Sequence, residues 1–174
     1  MAGGGAYLLG DSEGTLNNCI VSHNTTENYG GGTVAGTVNN CVFVENSARL
    51  GGGAYMCTFN NCTLSQNDAS FRGGGSYAGA LRNSIVYFNT PHDYYDSSFH
   101  HSCTTPLPTT GTRNISQDPM LRDPAHLDKS SPCVAGGDPL YATGLDIDGH
   151  AWEPDPAIGC DQPFKPDAFF IVIF

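Results

Sequence analysis

Glu45 and Asp68 lie on adjacent copies of a sequence repeat and have the residue types that a hydrolytic site needs. A glycoside hydrolase uses two carboxyl groups about 5 to 9.5 Å apart, one of them as a general acid. If the repeats stack as paired strands, these two side chains lie roughly 8 Å apart. Nothing in the surrounding sequence separates their pKa values. We therefore predict no catalytic residues and keep this pair as the alternative.

A polysaccharide lyase would need a different site, with several carboxylates around Ca²⁺ and a base, because calcium takes about 6 to 8 oxygen ligands. One column of the repeat could supply such ligands. It holds His23, Glu45, Gln66 and Phe88. Since only one of these residues is a carboxylate, the column indicates a solvated strand edge.

Four residues are candidates for binding a ligand. Arg49 and Arg72 precede successive Gly-Gly-Gly runs and could bind an acidic sugar or a phosphate from one face. Two solvated arginines on a negative surface are the alternative. Tyr94 and Tyr95 lie in residues 91–103, which are rich in aromatics and histidine, and could stack on sugar rings.

The same stretch offers His100, His101 and Cys103 as metal ligands. The alternative is a strand of a degenerate repeat, in which alternate residues turn inward.

Asp146 and Asp148 begin the sequence "DIDG", which is similar to the start of a calcium loop but lacks the later ligands. Asp138, Asp155 and Asp161 could complete an irregular cage, whereas a turn made by Asp and Gly is the simpler interpretation. We predict no cofactor and no metal, with a structural Ca²⁺ at Asp146 and Asp148 as the alternative.

A repeat of about 22 residues positions these candidates. Its copies begin at Gly3, Gly30, Gly51 and Gly73 and share four columns. The columns are Leu16, Val38, Phe59, Leu81; Asn18, Asn40, Asn61, Asn83; Cys19, Cys41, Cys62, Ser84; and Asn24, Asn46, Asn67, Asn89. No copy has helical periodicity, and short Val, Ile, Phe, Thr and Tyr runs between Gly and Asn predict strands. The repeat length therefore fits one coil of a β-solenoid.

The asparagine column predicts how each coil turns. Phe59, Cys62 and Leu64 face inward with a spacing that a straight strand does not allow, so a corner lies at Asn61. Asparagine tolerates the left-handed conformation that a corner needs. Asn18, Asn40, Asn61 and Asn83 should then stack as a hydrogen-bonded ladder. Cys19, Cys41 and Cys62 share a column with Ser84, which indicates small core residues, with disulfides between coils as the alternative.

These repeats resemble those of right-handed parallel β-helix proteins of the pectate-lyase-like superfamily, of the polymorphic outer-membrane-protein type. Such repeats carry a GGA-plus-aliphatic motif and an FxxN motif. Here they appear as "GGGAY" at Gly3 and Gly51, "GGGTV" at Gly30, "GGGSY" at Gly73 and "FVEN" at residues 43–46. The resemblance implies the fold and an exported or surface location, but no single activity, because the superfamily includes lyases, hydrolases and adhesins.

The later part of the chain resembles the closing segment of secreted bacterial proteins of this kind, through "SCTTPLP", "NISQDPML", "SPCVAGGD" and "PAIGCDQ". That resemblance implies irregular last coils that cover the open end of the core. The tyrosine column Tyr7, Val34, Tyr55 and Tyr77 could form an exposed aromatic ladder. Because the family motif has an aliphatic residue there, we expect it to face inward.

The composition of the chain limits the classes of partner that the protein is expected to bind. The 174 residues carry a net charge of −10 with only seven Lys and Arg, which argues against nucleic acid. No signal peptide opens the sequence, so we expect a C-terminal piece of a longer protein. The apolar run at residues 169–174 is too short for a membrane span and is predicted to be a strand. Seven cysteines without a CxxC pair give no zinc motif.

We therefore predict an all-β protein, a right-handed parallel β-helix with an irregular C-terminal cap. Residues 1–90 form four coils, and residues 91–174 form degenerate last coils and the cap of the same domain. The expected function is that of a non-catalytic exported or cell-surface protein for adhesion, scaffolding or glycan binding. The alternative is the C-terminal fragment of a carbohydrate-active enzyme, a polysaccharide lyase or glycoside hydrolase, with its catalytic coils upstream.

Overall fold

The computed structural model describes residues 4–8 and 14–163. The closing apolar run lies outside these ranges. Within them the regular structure is entirely β, in short strands separated by tight corners. The described residues include no helix that could cross a membrane.

The strands form three five-stranded parallel sheets and one additional pair. The first sheet contains β1 (Ala6–Tyr7), β4 (Thr33–Val34), β8 (Ala54–Tyr55), β12 (Ser76–Tyr77) and β15 (Tyr94–Tyr95). The second contains β2 (Thr15–Asn17), β5 (Thr37–Asn39), β9 (Thr58–Asn60), β13 (Ala80–Arg82) and β16 (Ser98–His100). The third contains β3 (Ile20–Ser22), β6 (Val42–Val44), β10 (Thr63–Ser65), β14 (Ile85–Tyr87) and β17 (Cys103–Thr104). The pair is β7 (Ser47–Leu50) and β11 (Asp68–Arg72).

Within the three sheets, each inner strand pairs with the strand one repeat earlier and the strand one repeat later. Val38 lies opposite Phe59, which lies opposite Leu81, as the repeat alignment predicts. The chain therefore winds as a parallel β-solenoid, and the predicted fold class is confirmed. A degenerate fifth coil, β15 to β17, continues the same register.

Left-handed residues make the corners of the coil. The predicted corner at Asn61 is confirmed, with φ of 49°, and Asn18, Asn40 and Asn83 have similar values. The column that we interpreted as a solvated strand edge forms another corner, since it also has positive φ. Its members are His23, Glu45, Gln66 and Phe88, all of them exposed.

The core lies between the three sheets. Phe43, Phe59 and Leu64 are fully buried there. All seven cysteines are free, and Cys41 and Cys62 each accept a hydrogen bond at Sγ from the backbone N–H of the preceding coil. Within this column Cys41, Cys62 and Ser84 are buried, and Cys19 in the first coil is partly buried. Burial raises the pKa of the Cys57 and Cys160 thiols to about 12, so both stay protonated.

The predicted asparagine ladder is present at the corner between the second and third sheets. Asn83 Nδ2 donates to Asn61 Oδ1 at 3.0 Å, and Asn61 Nδ2 donates to Asn40 Oδ1 at 3.2 Å. Asn18, at the start of the stack, instead donates to the backbone carbonyls of Leu145 and Asp146.

A second asparagine ladder runs inside the solenoid, after the third sheet. Asn24, Asn46, Asn67 and Asn89 each donate from Nδ2 to the side-chain oxygen of the next coil, at 2.9 to 3.0 Å. The same oxygen also accepts the backbone N–H of the donor residue. The ladder ends at Asp93, which is only 3% exposed and whose Oδ1 accepts both bonds from Asn89.

Asp93 should make the stability of the protein depend on pH. Burial raises the pKa of its carboxyl from 3.8 to about 6, despite the hydrogen bonds from Asn89. Because the folded-state pKa is the higher one, the stabilisation that Asp93 contributes is complete below about pH 4 and is lost as the pH rises through about 6. Asp93→Asn keeps the acceptor but removes the titration. In urea denaturation, the free energy of unfolding of the variant relative to that of the wild type should rise by about 2 to 3 kcal/mol between pH 4 and pH 7.

Asp68→Asn, at an exposed carboxylate, is the control for this measurement. A stability difference between Asp93→Asn and wild type that is the same at both pH values would contradict the expected role of Asp93.

The C-terminal part of the chain has two roles. Residues 110–115 continue the stack past the fifth coil, where Ile115 pairs with Cys103 and Asn114 Oδ1 accepts the backbone N–H of Ser102. The later residues instead cover the outer face of the third sheet, where Ile158 packs with Ile85, and Cys160 with Val42. The resemblance implied a cover over the open end; most of this segment lies along the side.

Residues 138–146, here named the return segment, run back along the corner asparagines. Successive amides of the corner ladder donate to its backbone carbonyls. The pairs are Asn83 with Asp138, Asn61 with Tyr141, Asn40 with Thr143, and Asn18 with Leu145 and Asp146. The segment therefore contacts four coils in reverse order.

Candidate functional site

A row of tyrosines lies along the outside of the first sheet. The rings of Tyr55 and Tyr77 are stacked with centroids 5.2 Å apart, and Tyr77 and Tyr95 repeat this spacing. Tyr29 extends the row, since its ring centroid lies 4.7 Å from that of Tyr55. Ala54, the neighbour of Tyr55 in β8, is buried in the core, so the tyrosine points outward.

The expectation that this column faces inward is therefore wrong. The residue before the column in each strand, which is Thr33, Ala54 or Ser76, is buried, so the next residue in the strand points outward. Val34 is the exception in the column and is buried.

Two arginines continue the row around an exposed phenylalanine. The guanidinium carbon of Arg49 lies 5.2 Å from the Phe71 ring centroid, and that of Arg72 lies 4.8 Å from it. Arg72 also lies 4.4 Å from the Tyr95 ring centroid and donates a hydrogen bond to the Tyr95 hydroxyl at 2.6 Å. The pairing of β11 with β7 shifts register between Ala69 and Arg72, at the position of Phe71.

We name this surface the aromatic–arginine face, and it consists of Tyr29, Arg49, Tyr55, Phe71, Arg72, Tyr77 and Tyr95. Neither Arg49 nor Arg72 forms an ion pair with a carboxylate in the part of the chain that the structure describes. Burial and the neighbouring rings of Tyr29 and Tyr77 raise the pKa of Tyr55, which keeps its phenol protonated. The face can thus offer hydroxyl donors and two guanidinium forks to a ligand.

Three of the four predicted binding residues meet on this face: Arg49, Arg72 and Tyr95. Tyr94 does not, because successive residues of a strand point to opposite sides. Its ring packs against Phe99 at 4.7 Å and its hydroxyl donates to the Pro106 carbonyl. Sequence reasoning missed Tyr29 and Phe71, whose only signal is an aromatic residue close before a Gly-Gly-Gly run.

The two residues of the candidate catalytic pair, Glu45 and Asp68, have different local contacts. Glu45 occupies an exposed corner and pairs with His23 of the preceding coil. Asp68 begins β11, opposite Ser47. Catalysis by this pair stays an untested hypothesis.

The candidate calcium residues Asp146 and Asp148 lie in a hydrogen-bonded turn. Asp146 Oδ1 accepts the backbone N–H groups of Asp148 and His150, and its Oδ2 accepts that of Gln162. Asp148 contacts His126 Nε2 at 3.1 Å. Burial lowers the pKa of His126, but hydrogen bonds to Asp123 and Asp148 outweigh it and raise that pKa overall.

The candidate metal ligands His100, His101 and Cys103 do not all lie in one place. Cys103 is buried beneath the C-terminal segment, in contact with Cys133. His100 and His101 instead lie close to Asp138, in an open cleft of about 810 Å³ that Asp155 also lines.

The sequence matches no protein-family model, and a search of curated proteins gave no significant match.

Proposed function

We propose that this protein is a non-catalytic exported or cell-surface β-solenoid that binds an acidic glycan through the aromatic–arginine face. One observation carries the proposal. A row of stacked tyrosines ends beside Arg72, which shares the exposed Phe71 ring with Arg49, and neither arginine has an acidic partner among the described residues of a chain with a net charge of −10. We further propose a right-handed, pectate-lyase-like solenoid, which is supported by the repeat motifs and the coil register.

The charge distribution favours an anionic ligand at this position. Only seven residues of the chain are Lys or Arg, and two of them contact the same exposed ring of Phe71. A guanidinium binds carboxylate or sulfate through two parallel hydrogen bonds. On a chain with a net charge of −10, these two arginines give an acidic ligand a local positive charge to bind.

The shape of the face favours a polymer over a small molecule. The face is an open row instead of an enclosed pocket, and small ligands prefer concave sites. Its aromatic groups repeat every 5.2 Å along the stack, so a linear chain can make the same contact several times. Stacked rings present hydroxyl groups and edges outward and lose little side-chain entropy on binding.

Binding to polygalacturonate should depend on the two arginines. The double variant Arg49→Gln, Arg72→Gln is expected to weaken binding at least about tenfold, since each charge-assisted hydrogen bond contributes about 1.5 to 3 kcal/mol before screening. Surface plasmon resonance at low and high salt measures the effect. Wild-type affinity should fall with salt, and the affinity of the variant should change less.

Arg82→Gln is the matched control, because Arg82 also lies over a tyrosine ring, that of Tyr141, but outside the face. Equal affinity of the double variant and wild type would contradict the proposal. Incubation with pectin, alginate or xylan, with and without Ca²⁺, should release no oligosaccharide, and reproducible product would instead support an enzyme.

A further inference from the structure

His100, His101 and Asp138 form the one group of three potential metal ligands that the described residues bring within 4.8 Å of one another. His100 Nε2 lies 3.4 Å from Asp138 Oδ2, and His101 Nε2 lies 4.0 Å from the same oxygen. His100 ends β16 and His101 follows it at the corner, whereas Asp138 begins the return segment. The solenoid therefore joins residues that are 38 positions apart in the sequence.

The hydrogen bonds around the group turn its ligand atoms toward one point. His101 Nδ1 lies 3.3 Å from the Gly136 carbonyl, which can only accept, so Nδ1 carries the proton and Nε2 has the free lone pair. His100 Nδ1 contacts Thr112 Oγ1 at 2.6 Å, which leaves its Nε2 facing Asp138. Asp138 Oδ1 accepts the Leu140 N–H, and Oδ2 faces both rings. Metal-binding histidines in proteins are held by such outer contacts.

We propose that these three side chains bind a divalent transition metal such as Zn²⁺. Two imidazoles and one carboxylate suit zinc, iron or copper better than calcium or magnesium. From Zn–N and Zn–O bonds of about 2.0 to 2.2 Å, neighbouring ligands of a tetrahedral ion lie about 3.4 Å apart. His100 Nε2 and Asp138 Oδ2 have this separation already, at 3.4 Å, and His101 Nε2 lies 4.0 Å from the same oxygen.

The surroundings leave room for further ligands. The group lies in the open cleft that His100 and His101 share with Arg113 and Asp155, and the side chain of His101 is 10% exposed. Three protein ligands with an open position are typical of metal sites that also bind water or a small ligand. This site is independent of the proposed glycan binding.

His101 provides a conservative test, because it occupies the corner that asparagine occupies in the four preceding coils. His101→Asn therefore restores the residue of the ladder at the same left-handed conformation and should fold. Asp138→Asn keeps the acceptor for the Leu140 N–H. His126→Asn is the matched control at another histidine and carboxylate cluster, where both ring nitrogens already contact Asp123 or Asp148.

Isothermal titration with Zn²⁺ tests the proposal, after thermal melts have verified folding of each variant. The wild type and His126→Asn should bind one Zn²⁺ per chain with equal affinity, and Zn²⁺ should raise their melting temperatures. His101→Asn and Asp138→Asn should each weaken binding at least about 100-fold. The proposal is overturned by a wild type that takes up no Zn²⁺, by unchanged binding in a folded His101→Asn or Asp138→Asn variant, or by loss of binding in His126→Asn.

Discussion

Replacing Gly52 with alanine should lower the free energy of unfolding by about 3 kcal/mol or more. A Cβ at this position would lie 2.2 Å from the Asp68 carbonyl oxygen and 2.6 Å from that of Gly74. Both atoms belong to backbone that the stack holds, since Gly52 N–H donates to Gly73 O, and Gly53 N–H donates to Gly74 O. The added methyl group must push the coils apart, which breaks hydrogen bonds as well as packing. Urea denaturation measures the loss.

Gly149→Ala controls for the substitution itself. No atom lies within 4 Å of a Cβ built at Gly149, but its φ is +86°. The control should therefore cost only the left-handed backbone penalty of about 1 to 2 kcal/mol. If Gly52→Ala lowers the free energy of unfolding by no more than Gly149→Ala does, close packing between coils is not the reason for the Gly-Gly-Gly runs.

Asn67→Ala should destabilise the protein by about 3 to 5 kcal/mol, because it interrupts the inner ladder at its centre. Asn67 is 1% exposed, and its Nδ2 donates to Asn89 Oδ1 and to the carbonyls of Phe43 and Ser65. Its Oδ1 accepts two bonds from Asn46. Removal leaves several buried donors and acceptors unsatisfied, each at a cost of about 1 to 3 kcal/mol before relaxation.

Asn60→Ala is the comparison on the outer surface of the second sheet. Asn60 donates to Asn39 Oδ1 at 2.8 Å, and its own Oδ1 has no hydrogen-bond partner. The expected loss is about 1 kcal/mol or less. Equal losses in the two variants, measured by thermal and urea denaturation, would show that the inner ladder has no special energetic role.

The repeat allowed the coil register to be predicted, because a column of equal residues has one physical explanation in a stacked fold. The pairing of Val38 with Phe59, the corner at Asn61 and the thiol column of Cys41 and Cys62 all follow from it. The inner ladder was visible as a column in the sequence. Its end at Asp93 was not, since a lone aspartate gives no sign of burial.

Other features could not be predicted from the sequence repeat. The direction of Tyr55 depends on which of two adjacent residues fits beneath the sheet, and a family motif with an aliphatic residue there suggested the wrong one. The return segment has no repeat, so its alignment with the corner ladder could not be derived. For the same reason Asp138 could not be matched with His101, although the histidine stands in a column of asparagines.

The return segment changes how this array should melt and assemble. In most stacked repeats each unit touches only its neighbours, so one end can fray while the other persists. Here the amides of Asn83, Asn61, Asn40 and Asn18 are tied to a single peptide that runs past them. Fraying the first coil means detaching that peptide, which should make unfolding all-or-none. During synthesis Asn18 can make its contacts only after residues 145 and 146 leave the ribosome, so the first coil is the last of the four to complete its contacts with this peptide.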